Sequence, residues 1–242
     1  TSVYITLDSH QRMHIAHGLF WEDKEGDPPP SYTPIMPEDV ISGKWRPVDE
    51  RNEKWAQDYV EALARGTRGD KVKAFPLCIW PEHCIIGSPG HCIVPAVLKG
   101  LNSWVEATRR TVNYVHKGQN SLTEMYSALK AEVPVPGDKT TQLNDDLVNE
   151  LMRMDRVLVC GQAKSHCVNF TVRDLVAAMK AKGAGRDEVG KIYILENCMS
   201  PVGDDPAAKP PTNFKGDADK FIADMKLEGV TVLPNWEEAF KA

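Results

Sequence analysis

The chain has 242 residues, a mass of 26.9 kDa and 42% hydrophobic residues, which is typical of a globular protein with one substantial core. A formal net charge of −5, with the charges mixed along the chain, argues against nucleic acid or an anionic membrane as a partner, because both bind basic surfaces. No stretch approaches the roughly 20 apolar residues of a membrane span, and we expect neither a membrane span nor a signal peptide.

The spacing of the cysteines and the lack of linkers indicate the redox state of the thiols and the number of domains. Six cysteines are scattered or lie inside apolar runs: Cys78, Cys84, Cys92, Cys160, Cys167 and Cys198. Such spacing does not resemble a disulfide framework, so we expect reduced thiols and a cytoplasmic protein. No Gly/Ser-rich linker interrupts the sequence, and we expect a single domain over residues 1–242.

Short apolar runs rich in β-branched residues alternate with amphipathic segments along the chain. The runs predicted to be strands are VYITL (3–7), VNYV (112–115), RVLVCG (156–161), KIYILEN (191–197) and VTVLPN (230–235). Three segments are predicted to be helices. The first begins at Pro47 and carries Trp55, Tyr59 and Leu63 on one face. The other two cover Val94 to Arg109 and Cys167 to Lys182. This alternation predicts a doubly wound α/β fold, with helices on both faces of a mostly parallel sheet.

Residues 24–47 depart from this alternation, because the segment is rich in proline and polar groups. It fits a surface insertion, and it fits equally a lid or wall over a binding site, since long ordered loops in compact domains often serve binding. The sequence does not decide between the two interpretations.

The first predicted strand ends in a group of potential metal ligands. Asp8, His10 and His14 follow VYITL at close spacing, and carboxylate and imidazole groups suit zinc, iron or manganese. His17 is a further candidate that spacing alone does not exclude. The alternative is a polar loop with a capping aspartate and solvated histidines.

Two other predicted strands also end in residues with chemical potential. Lys117 follows the second strand, where it could be a solvated charge or could bind substrate and lower the pKa of a neighbour. Cys167 begins a predicted helix after RVLVCG, and a helix N-terminus favours the reactive thiolate. The alternative for Cys167 is a small buried side chain that packs the turn. Because parallel strands present their carboxyl ends at one edge, we expect the three strand ends to converge on one crevice.

Four segments resemble the signature segments of a known family. They are DSHQRMH (8–14), WPEHCIIGSPG (80–90), HKGQNSLTEMYSAL (116–129) and CGQAKSHCV (160–168). In this order they resemble the nicotinamidase branch of the isochorismatase-like cysteine hydrolases, and the resemblance spans nearly the whole chain. It implies a six-stranded, mostly parallel sheet with helices on both sides, amide hydrolysis through a thioester, and a place in pyridine nucleotide salvage.

The resemblance also implies roles for individual residues. Cys167 is the implied nucleophile and Lys117 the lysine that supports its ionisation. The backbone N–H groups of Ala163 and Cys167 form the implied oxyanion hole, with a cis peptide expected between Ala163 and Lys164. Small amides such as nicotinamide are the implied substrates, and homo-oligomerisation is compatible with this scaffold.

A metal site and a substrate pocket follow from the same resemblance. The implied ligands of a divalent metal, with zinc expected and iron or manganese as alternatives, are Asp8, His10, His14 and His83. In this family the metal contacts the pyridine nitrogen and orients the ring. Trp80 and Tyr126 are implied to border that ring.

The sequence departs from the family pattern at several positions. The family places a catalytic aspartate at the end of an earlier strand in the middle of the sheet, whereas only seven residues precede Asp8 here. We therefore expect an N-terminally incomplete domain whose first strand lies upstream, with an insertion around residues 24–75. Ser9 stands where an aromatic residue is common, and Lys164 replaces a threonine-like residue. A longer segment separates His14 from His83, so a related amide is an alternative substrate.

Three other functions remain open from the residues. His83, Cys84, His91 and Cys92, with Cys78 nearby, could form a structural zinc site, although the close CxxC spacing is missing. Asp8 and His10 with one more histidine could hold iron in an oxygenase, which would have no use for Cys167. A non-catalytic protein on the same scaffold is the third alternative.

Overall fold

The computed structural model describes residues 1–68, 75–203 and 213–241. Its chain forms two compact units, Thr1–Thr141 and Gln142–Ala242. Residues 69–74, which belong to the insertion predicted around 24–75, lie outside the described residues. The prediction of a single domain over 1–242 stays a prediction.

The first unit contains six strands and three α-helices among its described residues. They are β1 (Tyr4–Asp8), β2 (Trp21–Glu22), β3 (Pro34–Ile35), α1 (Pro37–Ile41), β4 (Arg46–Pro47), α2 (Glu53–Arg65), β5 (Leu77–Cys78), α3 (Pro95–Thr108) and β6 (Asn113–Lys117). β1 and β6 pair in parallel, whereas β2 with β4 and β3 with β5 form short antiparallel pairs. The parallel register sets Asp8 opposite Lys117, so both residues end their strands at the same level.

The core of the first unit depends on α2 and on the segment predicted as an insertion. Helix α2 buries Ala56, Tyr59, Val60 and Leu63, a spacing that places all four on one helical face. Ile35 and Trp45, from the proline-rich segment 24–47, are buried in the same hydrophobic cluster. This segment is therefore packed into the unit and contributes to its core.

The second unit contains three strands and four α-helices among its described residues. They are α4 (Asp145–Met152), β7 (Val157–Val159), α5 (Cys167–Ala181), α6 (Arg186–Val189), β8 (Ile192–Leu195), α7 (Phe214–Glu228) and β9 (Thr231–Leu233). The strands form one parallel sheet in the order β7-β8-β9. Helix α5 contacts both α4 and α7, and its apolar side chains are largely buried.

The α/β fold class predicted from the sequence is confirmed. Each of the five apolar runs forms a strand, and α2, α3 and α5 form where helical periodicity predicts them. In the described ranges, the five parallel strands are divided into a pair and a group of three, rather than joined in one six-stranded sheet. Among the helices of this part of the chain, none is both long enough and apolar enough to cross a bilayer.

The burial of α2 leads to a prediction about stability. Leu63 is 2% exposed and Leu98, on α3 of the same unit, is 40% exposed. We expect Leu63→Ala to lower the free energy of unfolding by about 2–5 kcal/mol, because it leaves a cavity in the core. Leu98→Ala should lower it by less than about 1 kcal/mol. Urea unfolding followed by tryptophan fluorescence measures both, and equal losses would contradict the burial pattern.

Candidate active site and metal centre

A buried ion pair lies at the carboxyl ends of β1 and β6. The ammonium of Lys117, 3% exposed, donates hydrogen bonds to the carboxylate of Asp8 and, at 2.8 Å, to the carbonyl oxygen of Met125. Burial alone would raise the pKa of Asp8, but the charge and hydrogen bond of Lys117 together outweigh it and hold that pKa below its usual value. Two of the three predicted strand ends therefore meet; the convergence with Cys167 stays a prediction.

Four histidines cluster beside this ion pair. His10, His14 and His17 are buried and His83 is half-buried. The ring centre of His10 lies 4.8 Å from that of His14, 5.5 Å from that of His17 and 4.6 Å from that of His83. Histidines packed this closely in a protein interior are typical of a metal site.

Backbone pairing and a glycine build the histidine cluster. Two isolated parallel bridges, of His10 with Ile85 and of His17 with Trp80, attach the loop after β1 to the segment around His83. Gly118 makes room for the imidazole, since a Cβ there would stand 2.8 Å from both Cδ2 and Nε2 of His10. Its φ of +74° also favours glycine.

Several ligand-type atoms in this cluster are buried without a hydrogen-bond partner. Among the described side chains, these include both ring nitrogens of His10, Nε2 of His14 and of His17, and Oε2 of Glu124. Buried polar atoms are normally satisfied, so unpartnered atoms that face one another fit a bound cation. The group of residues therefore fits a divalent metal ion.

The ligand atoms fall into two overlapping groups of three. One group is His10, His17 and His83, and the other is His10, His14 and Glu124; within each, the atoms lie within 4.8 Å of one another. Asp8, predicted as a ligand, belongs to neither group. Glu124 is not among the ligands predicted from the sequence, because it lies inside the matched segment HKGQNSLTEMYSAL at no recognisable ligand spacing.

Burial keeps the three interior histidines neutral, which is the form that binds metal. It lowers the pKa values of His10 and His17, and it lowers the pKa of His14 to about 3. The carboxylate of Glu124 opposes this effect at His10 and His14 but does not outweigh burial.

The two residues predicted to border the substrate are in contact. The indole N–H of Trp80 donates to the hydroxyl of Tyr126 at 3.0 Å. Tyr32, from the segment 24–47, meets Trp80 edge to face with ring centres 5.9 Å apart. Burial raises the pKa of Tyr126 well above its usual value, so this hydroxyl stays protonated. An aromatic wall thus belongs to the same unit as the histidines.

Cys167 begins helix α5 in the second unit, as the sequence predicts. The preceding turn is held in place by the carbonyl oxygen of Ala163, which accepts hydrogen bonds from the N–H groups of His166 and Val168 at 3.0 and 3.2 Å. The Lys164 side chain donates to Glu196 at 2.8 Å. The predicted position of the cis peptide is wrong by one residue, because the cis bond joins Gln162 to Ala163 rather than Ala163 to Lys164.

The geometry does not favour a structural zinc site built from the two His–Cys pairs, His83–Cys84 and His91–Cys92. All six cysteines are free thiols, and the candidate metal groups found in the described residues contain none of them. Nε2 of His91 instead lies 2.8 Å from the Ser9 hydroxyl, which also contacts Nδ1 of His116 at 3.1 Å.

Comparisons with known proteins agree with the motifs and the fold. The chain is 27% identical over 135 residues to a nicotinamidase of Escherichia coli K12, a match that covers 56% of this chain and 54% of that protein. The chain thus spans about half the length of this curated relative. No family model matches the chain.

Solved structures extend the likeness in fold. A yeast nicotinamidase superposes with a TM-score of 0.54 at 19% identity, covering 96% of this chain and 79% of that one. A nicotinamidase/pyrazinamidase of Acinetobacter baumannii gives a TM-score of 0.53 at 17% identity, covering 96% and 76%. At these identities the superpositions establish a shared α/β fold.

The neutral histidines lead to a prediction of pH dependence in the metal-free protein. Because the pKa of His14 falls from 6.5 to about 3 on folding, the unfolded chain binds a proton below pH 6.5 that the folded chain does not. The free energy of unfolding should therefore fall as the pH decreases from 6.5, by about 2 kcal/mol at pH 5 from His14 alone.

Urea unfolding of chelator-treated protein between pH 7 and pH 5 measures this loss. His14→Gln should flatten the dependence, because glutamine does not titrate. An unchanged slope in this variant would contradict the assignment to His14.

Proposed function

We propose, from the confirmed resemblance to nicotinamidase-like hydrolases of the isochorismatase family, that this protein is an amidase. It hydrolyses nicotinamide or a related small amide to the acid and ammonia, with Cys167 as nucleophile. The observation that carries the proposal is the group of three buried, neutral imidazoles, each with at least one unpartnered ring nitrogen, beside the Lys117–Asp8 ion pair. A candidate metal site thus lies next to the buried ammonium of Lys117. A purely structural protein would have little reason to keep these two features together.

The chemistry proceeds in two steps at the cysteine. The Cys167 thiolate attacks the amide carbon, and the tetrahedral oxyanion is stabilised by the N–H groups of Ala163 and Cys167. The amide nitrogen takes up the proton that the thiol released on ionising and leaves as ammonia, so that a thioester remains. Water then attacks the thioester carbon, which releases the acid and returns the thiolate. The N-terminal end of α5 favours the thiolate throughout. Lys117 keeps the supporting role that the family resemblance implies.

Divalent metal binding is part of the proposed function. Zinc, iron or manganese, when bound, would supply a Lewis acid that accepts a lone pair from a heterocyclic substrate. His10 and His83 are the ligands that the sequence prediction and the all-imidazole group share. Asp8 and His14 complete the set that the sequence predicts.

The aromatic wall supports a flat, ring-shaped substrate. Trp80 is held by its hydrogen bond to Tyr126 and by its contact with Tyr32, so the indole orientation is fixed before a ligand binds. A rigid aromatic side chain stabilises a bound aromatic ring through stacking, at little cost in conformational entropy.

Ammonia release tests the proposed activity. We expect the zinc-loaded protein to release ammonia from nicotinamide, and Cys167→Ala to reduce the rate by at least about 10³-fold, because the nucleophile is lost. Coupled detection of ammonia with a panel of small amides measures rate and preference together.

Cys160→Ala is the matched control, because this thiol precedes the same turn yet has no proposed role. It should retain most of the activity. Equal losses in the two variants, or no ammonia from any amide in the panel, would contradict the proposal and favour a non-catalytic protein.

A further inference from the structure

We infer that Tyr32 is a specificity-determining residue, whose ring stands at the edge of the bound substrate beside Trp80 and restricts the substrate to a single aromatic ring. This inference rests on the proposed amidase function and deepens it, because it adds a size limit to the class of amides. Tyr32 comes from the proline-rich segment 24–47, which the sequence alone leaves as either a surface insertion or a wall over a site. The geometry around Tyr32 favours the wall.

Tyr32 occupies a backbone position that suits glycine. The N–H of Thr33 donates to the carbonyl oxygen of Pro30 at 3.2 Å, which closes a turn with Tyr32 as its third residue. The φ of Tyr32 is +67°, in the left-handed region. Turns with a positive φ at the third position normally have glycine or asparagine there, because other side chains are strained. The turn itself therefore gives no reason for an aromatic side chain.

The strain at Tyr32 differs from that at the other left-handed positions. Besides glycines, the residues with positive φ in the described ranges are Tyr32, Cys84 and Arg109. Arg109 caps the C-terminal end of α3, where a left-handed residue is common. Cys84 directly follows His83 in the candidate metal centre. Strained residues concentrate at ligand sites, where the surrounding structure holds them in place. A role for the Tyr32 ring in binding would account for a strain that the turn does not need.

Backbone hydrogen bonds hold Tyr32 next to the candidate site. The N–H of Tyr32 donates to the carbonyl oxygen of Ile79, and the N–H of Ile79 donates to that of Thr33 at 2.9 Å. Beside these bonds, β3 pairs with β5. Because Trp80 directly follows Ile79, the same bonds place Tyr32 beside the indole before any ligand binds.

Tyr32 and Trp80 form a corner of two aromatic surfaces. Their ring planes stand 83° apart, with the ring centres at 5.9 Å. Tyr32 is 46% exposed, whereas Tyr126, which accepts the indole N–H of Trp80, is 9% exposed. Of the three rings in the aromatic wall, Tyr32 therefore has the largest exposed fraction. A planar substrate that packs against Trp80 meets the Tyr32 ring at its edge.

A fixed side chain at the edge of a bound ring selects substrates by size. A single six-membered ring fits beside Tyr32, whereas a second, fused ring would overlap with the tyrosine side chain. Steric exclusion of this kind is a general source of specificity. The exclusion depends on the volume of the ring and not on the phenol hydroxyl, so the hydroxyl can be removed without changing the size limit.

The ratio of kcat/KM for a two-ring amide to kcat/KM for a one-ring amide tests the inference. Quinoline-3-carboxamide and nicotinamide are the probes, because they differ by one fused ring, and ammonia release by the zinc-loaded protein measures both. We expect Tyr32→Gly to raise the ratio at least about 10-fold, mainly by lowering KM for the two-ring amide. Tyr32→Phe should keep the ratio, because the ring remains. Tyr32→Asn should give the same result as Tyr32→Gly and replaces it if Tyr32→Gly does not fold, because asparagine also tolerates a left-handed φ.

Arg109→Gly is the matched control for the backbone, because it introduces glycine at another left-handed position of the same unit. It should leave the ratio unchanged. Thermal unfolding provides a second comparison, in which neither glycine substitution should lower the midpoint, because glycine adopts a positive φ without strain. A fall of more than about 4 °C in Tyr32→Gly alone would overturn the inference, since the ring would then serve stability.

Two kinetic results would also overturn the inference. One is an equal loss of kcat/KM on both amides in Tyr32→Gly, which would mean that the ring only orients Trp80. The other is an unchanged ratio in Tyr32→Gly and Tyr32→Asn.

Failure of the proposed function gives a different result. A protein that releases no ammonia from any amide would contradict the amidase activity, and calorimetric binding of the two probes then replaces the rates. A rise of at least about 10-fold in the relative affinity of Tyr32→Gly for the two-ring amide supports the inference. An unchanged relative affinity, or no binding of either probe, overturns it.

Discussion

A buried ammonium requires a nearby negative charge, and the first unit is arranged around this requirement. Lys117 ends β6 and Asp8 ends β1, and the parallel register holds the two residues side by side. The desolvation penalty of the buried ammonium is large, and the Asp8 carboxylate offsets part of it. Because the chain continues directly from Asp8 to His10, the ion pair also fixes where the histidine loop begins.

The histidine cluster depends on a second backbone contact. The His10 N–H donates to the carbonyl oxygen of Cys84 at 3.0 Å, and the N–H of Ile86 donates to the carbonyl oxygen of His10 at 3.0 Å. These bonds align the loop after β1 with the segment that carries His83. Residues far apart in sequence thus converge through backbone pairing, and the side chains need little adjustment to face a common point.

Much of the fold could be predicted from the sequence because burial leaves a periodic pattern. The apolar runs around Ile5, Leu158 and Ile194 are long enough to indicate strands, and the α2 face is evident from its spacing. The antiparallel pairs formed by β2 with β4 and β3 with β5 contain two residues per strand, too few for any pattern. The packing of segment 24–47 into the core was likewise hidden, because Ile35 and Trp45 are isolated among polar and proline residues.

The candidate site shows a different limit of prediction from sequence. Its histidines differ in the direction of their hydrogen bonds and not in residue type. The sequence HQRMHIAH offers three histidines of equal chemical character, and spacing permits any of them to bind a metal. What distinguishes them is the backbone group that each Nδ1 meets: an N–H at His14 and a carbonyl oxygen at His17. That difference arises from the turn geometry between Arg12 and His17, which no residue pattern specifies. A motif can therefore locate a candidate metal site, whereas the hydrogen-bond partners of each imidazole within it follow from the folded backbone.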